Sequence, residues 1–178
     1  MPATVRVDPC DRRDADLLAW IAETTFRETY AADTEGAEME RHVPKAYDPT
    51  AIEQELAEPG SRFFLAWLDE VPAGYLKINL AEAQTELREE EGLEIESLYV
   101  LREFQGGGVG RLLFDRALDE ARRAGVNYIW LGVWERNVRA RQFWEKQGFA
   151  AFGAHPFRFG DLEHTDLMMR RAVQRGAD

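Results

Sequence analysis

A chain of 178 residues with 45% apolar and 31% charged residues can bury a real core, and its composition excludes a disordered tail or a low-complexity repeat. Its 33 acidic residues outnumber 22 basic ones for a net charge of −11, which repels nucleic-acid backbones and anionic membranes and favours small cationic partners. The single cysteine, Cys10, the lack of a secretory or membrane-length apolar run, and the absence of zinc-site spacing around His42, His155 and His164 lead us to expect a cytoplasmic protein without a metal.

Thr4-Val5-Arg6-Val7 alternates as a first strand and ends at Asp8-Pro9. Leu17, Leu18, Ile21, Ala22, Thr25, Phe26, Thr29 and Tyr30 recur at helical spacing and predict a helix over about 12–32. A short helix is expected over 35–42, and another from Thr50 as N-cap, with Glu53 completing a capping box and Glu58-Pro59-Gly60 stopping it. Residues 62–68 and 71–80 read as a hairpin about Asp69-Glu70, and 82–92 as a solvated acidic linker.

Residues 93–100 form the next strand, with Leu98 and Val100 on one face and Ser97 and Tyr99 on the other. A glycine-dense bend then opens a helix over 108–124, whose Val109, Leu112, Leu113, Ala117 and Ala121 mark one face and whose end is Gly125. The nearly unbroken apolar run of strand 127–134 suggests burial on both faces, and strand–helix–strand here makes a parallel βαβ unit. Asn137 caps a helix carrying Ala140, Phe143 and Trp144, and two short strands follow around a turn at Arg158-Phe159-Gly160-Asp161, the last over 165–169. The expected fold is a mixed α/β (α+β) domain spanning 1–178: a mostly antiparallel sheet of about seven strands, helices on both faces, and one central βαβ unit.

Four glycines within Gly106–Gly110 strip β-carbons from a helix start whose first amides have no intrahelical partner. Such amides favour negative charge, above all a diphosphate lying against bare backbone. The spacing is neither a dinucleotide fingerprint, which needs its strand early in a βαβ unit, nor a Walker A loop, which needs a following Lys-Ser/Thr pair.

Gln105-Gly106-Gly107-Gly108-Val109-Gly110 matches the pattern Q/R-x-x-G-x-G/A. Downstream, Trp130-Leu131-Gly132-Val133, then Asn137, Ala140 and Phe143-Trp144-Glu145-Lys146-Gln147-Gly148-Phe149, is similar to N-x-x-A-x-x-F-Y-x-K-x-G-F. With both motifs in this order the chain resembles the GNAT superfamily of N-acetyltransferases, which pass an acyl group from acyl-coenzyme A to an amine. More narrowly, LEIESLYVLREFQGGGVG and FGAHPFRFGDLEHTDLMMRR resemble the PaiA-like bacterial polyamine acetyltransferases.

The resemblance implies acetyl-coenzyme A as cofactor. The amides of Gln105, Gly106, Gly108, Val109 and Gly110, in a loop completed by Gly107, would hold its diphosphate, and Leu98 and Val100 would offer backbone groups to its pantetheine arm. The Val100 N–H would serve the thioester oxygen as charge develops there. Asn137 would reach the same arm while capping its helix, and Lys146 or Arg141 would meet phosphates unless simply solvated.

The attacking amine must first be neutral, although an aliphatic ammonium loses its proton only near pH 10. Glu94 and Glu96 lie two apart on one strand face, so Glu96 is the first candidate for base or water-positioner and Glu94 for its partner or an acceptor-binding charge; facing solvent or pairing with an arginine is the alternative for either. Trp144 stands where the family commonly has a tyrosine able to protonate the departing thiolate, and Tyr99 and Tyr30 are the substitutes, unless Tyr99 is only a buried ring. Tyr30, Tyr47, His155 and His164, with Phe26 and Phe157, are the candidates around the acceptor. The expected acceptor is a primary amine on a small, polyamine-like cation; a protein N-terminus or lysine, or a coenzyme A sensor without catalysis, are the competing functions. A homodimer fits the exposed edges.

Overall fold

The computed structural model describes residues 1–34, 36–159 and 162–174. In chain order these give β1 (Val5–Pro9), α1 (Ala15–Tyr30), α2 (Gly36–Ala46), α3 (Pro49–Ala57), β2 (Ser61–Leu68), β3 (Val71–Leu80), β4 (Gly92–Val100), α4 (Val109–Ala124), β5 (Tyr128–Trp134), α5 (Val138–Lys146), β6 (Ala150–Phe159) and β7 (Leu162–Ala172). The seven strands form one sheet in the order β1-β2-β3-β4-β5-β7-β6, with β4 and β5 parallel and every other pairing antiparallel. The parallel pair follows from the crossover through α4, which packs its apolar stripe, Val109, Leu113, Phe114, Ala117 and Ala121, onto one sheet face. Alpha-helices α1 and α3 cover the other face through Leu18, Ile21, Ala22 and Ile52, meeting Phe63, Leu65 and Tyr75. No helix among the described residues is long and apolar enough to cross a membrane.

Several boundaries differ from expectation for identifiable reasons. The helix expected over 12–32 is α-helical only over Ala15–Tyr30, with a 3-10 turn at each end. The cap of α3 is Asp48, whose side chain accepts from Thr50 N at 3.4 Å with Pro49 just inside the helix, while Glu53 turns to Arg12 instead of closing a capping box. Helix α2 runs through Pro44 to Ala46, because Met39 and Val43 pack against Phe26, Tyr30 and Trp134 and offset the missing donor. Its expected start at residue 35 lies outside the described residues, as do Gly160 and Asp161 of the final turn. The flanking strands β6 and β7 are long, pairing from Ala150↔Arg170 to Phe159↔Leu162.

The segment between β3 and β4 is largely exposed, as expected of an acidic linker, but it is anchored to the sheet. Gln84 is 1% exposed; its Oε1 accepts from Trp130 Nε1 at 2.7 Å, and its Nε2 donates to Glu89 O at 2.7 Å. Thr85 donates from both its amide and hydroxyl to Glu94, and Glu86 forms an ion pair with His155. Polar side chains turn inward here because buried donors and acceptors on β4 and β5 need them. Replacing Gln84 by leucine strips the buried Trp130 indole of its acceptor, so unfolding in urea should show a loss of about 1–3 kcal/mol; an unchanged midpoint would mean that the loop is dispensable.

Candidate active site

The site begins where β4 and β5 stop pairing. Their parallel ladder covers only Gly92↔Tyr128, Leu93↔Ile129 and Glu94↔Trp130. Beyond it β4 continues on β3 as far as Gly74↔Val100, and β5 continues on β7 as far as Trp134↔Asp166. Each strand is held on its outer edge while the inner edges part. The bend comes from one extra residue in β4: Lys77 pairs with Ser97 and Ile78 with Ile95, leaving Glu96 as a β-bulge.

Strand alternation then decides which backbone groups face the opening. The Leu101 amide donates to Ala73 O at 2.9 Å, toward β3, so the amides of Leu98 and Val100 face the other way, into the wedge that β5 has left. The Gln105 carboxamide donates to Val100 O at 3.1 Å and ties the glycine loop to this strand end. Gly106 and Gly108 sit at φ +85° and +89°, and a β-carbon on either would meet nothing within 4 Å: backbone conformation demands glycine here, and the space outside stays open. Gly108 is the N-cap of α4 and provides no side-chain cap, and the first helical bond runs from Leu112 N to Gly108 O. The amides of Val109, Gly110 and Arg111 therefore lie bare at a positive helix end.

Two joined cavities occupy the wedge, sharing Leu98, Tyr99, Asn137, Ala140 and Trp144. The one beside the loop, about 450 Å³, is lined by Arg111, Arg139 and Lys146 and by no carboxylate. The other, about 220 Å³, is lined by Glu96 and Asp166 and by no lysine or arginine, with Phe26, Tyr30, Tyr47, Trp134 and Phe157 as its walls. Asn137 serves both: its Oδ1 caps α5 by accepting from Ala140 N at 3.2 Å.

Of the candidates named from sequence, Leu98, Val100, Gln105, Gly106, Gly108, Gly110, Asn137 and Lys146 line the basic cavity, whereas Gly107 and the buried Val109 side chain do not. Tyr30, Tyr47, Tyr99 and Glu96 line the acidic one. Glu94 does not: it is 3% exposed, and accepts from Asn79 Nδ2 at 2.9 Å and from Thr85 N at 2.9 Å. Burial pushes its carboxyl above the ordinary value of 4.5, outweighing the Asn79 and Thr85 hydrogen bonds. Glu94 thus sits inside the sheet rather than at the cavity, yet stays beside Glu96, since Asn79 Nδ2 donates to both at 2.9 Å. His155 and His164 stand behind the cavity rather than in its lining, His155 paired to Glu86 and His164 packed edge-on against Trp134 at 4.9 Å. Arg141 turns to Glu135 O at 2.9 Å.

Glu96 is exposed, as one alternative foresaw, and its ion-pair partner is a lysine rather than an arginine. Its Oε2 lies 2.5 Å from Lys77 Nζ and accepts from Asn79 Nδ2 at 2.9 Å, and Lys77 also holds Glu55 at 2.6 Å. Burial works against the Lys77 ammonium, but Glu96 and Glu55 together prevail and raise its pKa. The Tyr30 and Tyr99 phenols interact, and burial raises both above their ordinary range. Trp144 packs edge-on against Phe114, Phe143 and Phe149 and has no hydroxyl to offer. Sequence reasoning missed Asp166 and Arg139: Arg139 fills a variable position of the N-x-x-A pattern, and Asp166 is one of several polar residues in the C-terminal run. Among the described residues no cluster of three His, Cys, Asp or Glu side chains is placed to hold a metal ion.

A bare helix start, joined through parted parallel strands to a second cavity, defines a transferase that draws its group from a diphosphate-bearing carrier. The chain belongs to the acetyltransferase (GNAT) family, whose model matches residues 19–149. It is 33% identical over 169 residues to an uncharacterized N-acetyltransferase in the pepI 3′ region of Lactobacillus delbrueckii subsp. lactis, covering 95% of this chain and 98% of that one. It is 28% identical over 160 residues to an uncharacterized N-acetyltransferase of Mycobacterium tuberculosis, covering 90% and 98%. Among solved structures, the PaiA N-acetyltransferase of Thermoplasma acidophilum, in complex with coenzyme A, superposes with a TM-score of 0.78 at 18% identity, covering 95% of this chain and 99% of that one. The protein is an acyl-coenzyme A-dependent N-acyltransferase, with acetyl-coenzyme A as cofactor. The bare amides and the carboxylate-free cavity suit that carrier's phosphates.

Two measurements follow. Gly108→Ala puts a methyl group where no protein atom stands, at φ +89°; it should cost about 1 kcal/mol of stability yet raise the KM for acetyl-coenzyme A about tenfold or more. Equal KM values would remove the loop from the cofactor site. Glu94 has a folded-state pKa above its ordinary 4.5, so its stability contribution is fullest below that value and is lost as pH rises through the folded pKa. Glu94→Gln should therefore gain on the parent in melting temperature as pH rises from about 4 toward neutrality, and a constant difference across that range would refute the assignment.

Proposed function

We propose that this enzyme acetylates a primary amine on a small, polyamine-like cation. The observation that carries the reading is the charge division of the wedge: in a chain of net charge −11, the cavity at the glycine loop is lined by Arg111, Arg139 and Lys146 alone among ionised side chains, and the joined cavity by Glu96 and Asp166 alone. Opposite charges converge on opposite sides of Leu98, Tyr99 and Asn137, as a phosphate-bearing donor and a cationic acceptor require. The acidic cavity, about 220 Å³ and walled by aromatic rings, suits a small amine better than a polypeptide. A cytoplasmic setting agrees with this reading, and the exposed edge of β6 leaves room for a two-fold assembly.

In this reading acetyl-coenzyme A supplies the activated acyl group. The amides of Gln105, Gly106, Gly108, Val109 and Gly110 grip its diphosphate, with Lys146 beside them. Leu98 and Val100 pair through the wedge edge of β4 with the pantetheine arm, which Asn137 meets from the other side. The Val100 N–H donates to the thioester oxygen as charge builds on it. Glu96 takes the proton from the acceptor ammonium, directly or through water, and Lys77 holds its carboxylate toward the cavity. Tyr99, which lines both cavities, donates its hydroxyl hydrogen to the departing sulfur. Tyr30 and Tyr47 shape the acceptor cavity.

Thiol release measured with polyamines, amino acids, aminoglycosides and peptide N-termini tests the reading: turnover should be fastest with polyamines. Tight coenzyme A binding without turnover on the whole panel would favour a sensor, and a preference for peptide N-termini would favour a protein acetyltransferase. Glu96→Gln should lower kcat/KM by about 100-fold or more and shift the acidic limb of the pH–rate profile. If the profile is unchanged and the rate stays within about threefold, Glu96 is not the proton acceptor.

A further inference from the structure

The acidic cavity contains two carboxylates of unequal freedom. Glu96 is already engaged at Oε2 by Lys77 and Asn79. Among the described residues, no hydrogen bond or ion pair reaches the Asp166 carboxylate, although it lines the same cavity from the opposite wall. Its neighbours are otherwise occupied. His155, its partner across β6, is engaged by Glu86, and His164, two residues before it, lies against Trp134 and Tyr30 with ring centroids 4.9 and 6.0 Å away. Trp134 is the residue facing Asp166 across β5 and β7, so the two side chains stand on one sheet face. Tyr30 lies 5.1 Å from Trp134 and 6.5 Å from Phe157, ring centre to ring centre.

A β-carbon on Gly132 would come within 3.3 Å of Asp166 Oδ2, so the lack of a side chain there is what leaves room for this carboxylate over the floor of the wedge. Burial raises the Asp166 pKa, and the two histidines only partly oppose that rise. A half-buried carboxylate with no partner weakens the apo protein and is retained where a ligand completes it.

Resting on the small-cation reading above, we propose that Asp166, with the faces of Tyr30, Trp134 and Phe157, forms a subsite for a second cationic nitrogen of the acceptor. The carboxylate supplies charge and the rings supply cation–π attraction. The acceptor is then an α,ω-diamine or longer homologue. One nitrogen is neutral and attacks on the Glu96 side, while the other remains an ammonium on Asp166. Asp166 acts as a specificity-determining residue and takes no part in proton transfer.

The test compares diaminobutane with aminobutanol, which differ in one terminal charge, for the parent, Asp166→Asn and Asp166→Glu. The parent should favour the diamine in kcat/KM by about tenfold or more. In Asp166→Asn that preference should collapse toward unity through the KM of the diamine, with kcat and the KM for acetyl-coenzyme A within about twofold. Asp166→Glu should recover part of it. The unfolding midpoint of Asp166→Asn should hold or rise, because a partnerless carboxylate has been removed, whereas a structural role would lower it. Equal use of the two amines by the parent, or a preference that survives Asp166→Asn, would overturn the subsite and leave the acetyltransferase reading intact. Turnover confined to peptide N-termini would overturn the small-cation reading and the subsite with it.

Discussion

The parting of β4 from β5 after three residue pairs is the constraint on which the rest of the molecule depends. Two parallel strands that stop pairing leave amides without partners, and a buried donor left bare costs about 1–3 kcal/mol. The opening persists because both strands are fully zipped on their outer edges, β4 to β3 and β5 to β7, so closing it would break longer ladders than it would form. The bulge at Glu96 bends β4 away, and α5 fills the far end of the gap with Ala140 and Trp144. The result is an unpaired strand edge beside a bare helix end, an arrangement that a flexible, partly amide-like arm ending in phosphates can complete at both points at once.

Around that wedge the acidic side chains do three different things, although composition counts them alike. Glu94 is spent inside the sheet, holding the 81–91 segment down through Thr85 and sharing Asn79 with Glu96. Glu96 borders the cavity with its charge partly balanced by Lys77, an ammonium it shares with Glu55. Asp166 has no such balance. Glu89-Glu90-Glu91 adds little pull on a cation in the wedge, since Glu89 is engaged by Tyr128 and the segment faces solvent. Local geometry, rather than total charge, decides which carboxylate a cation would feel.

Where a motif carries its own geometry, the sequence was enough to place it. The glycine run specifies a left-handed backbone at a helix start whatever surrounds it, and Asn137 caps α5 by a bond spanning only three residues. Long-range pairings were not legible in this way. Gln84 and Thr85 read as linker because their polarity fits solvent equally well, and only the approach of Trp130 and Glu94 turns them inward. Asp166 is one polar residue in an otherwise alternating strand, and nothing local says that Gly132 will lie across from it. The bulge had left a trace: the core-facing positions run Leu93, Ile95, then Leu98, Val100, a change of parity that requires one extra residue between Ile95 and Leu98. Despite that break Glu94 and Glu96 stay together on Asn79, but only Glu96 reaches the cavity.

Replacement of the family's common tyrosine by Trp144 bears on how the thiolate leaves. Trp144 closes the core between α4 and α5, edge-on to three phenylalanines, so the substitution exchanges a hydroxyl for packing. On the proposed assignment the hydroxyl comes from Tyr99, which lines both cavities with Tyr30 beside it. Burial raises the Tyr99 pKa from an ordinary 10.0, and the neighbouring Tyr30 hydroxyl only partly offsets it. A thiol of pKa about 8.5 lies at least 1.5 units below such a phenol, so complete proton transfer would run uphill by about 2 kcal/mol or more. A hydrogen bond that strengthens as charge gathers on sulfur avoids that cost, and such a weakly basic leaving group needs no more. On the proposed assignment Tyr99 would serve better as a stabilising donor than as an acid, and no dedicated acid would be needed at position 144.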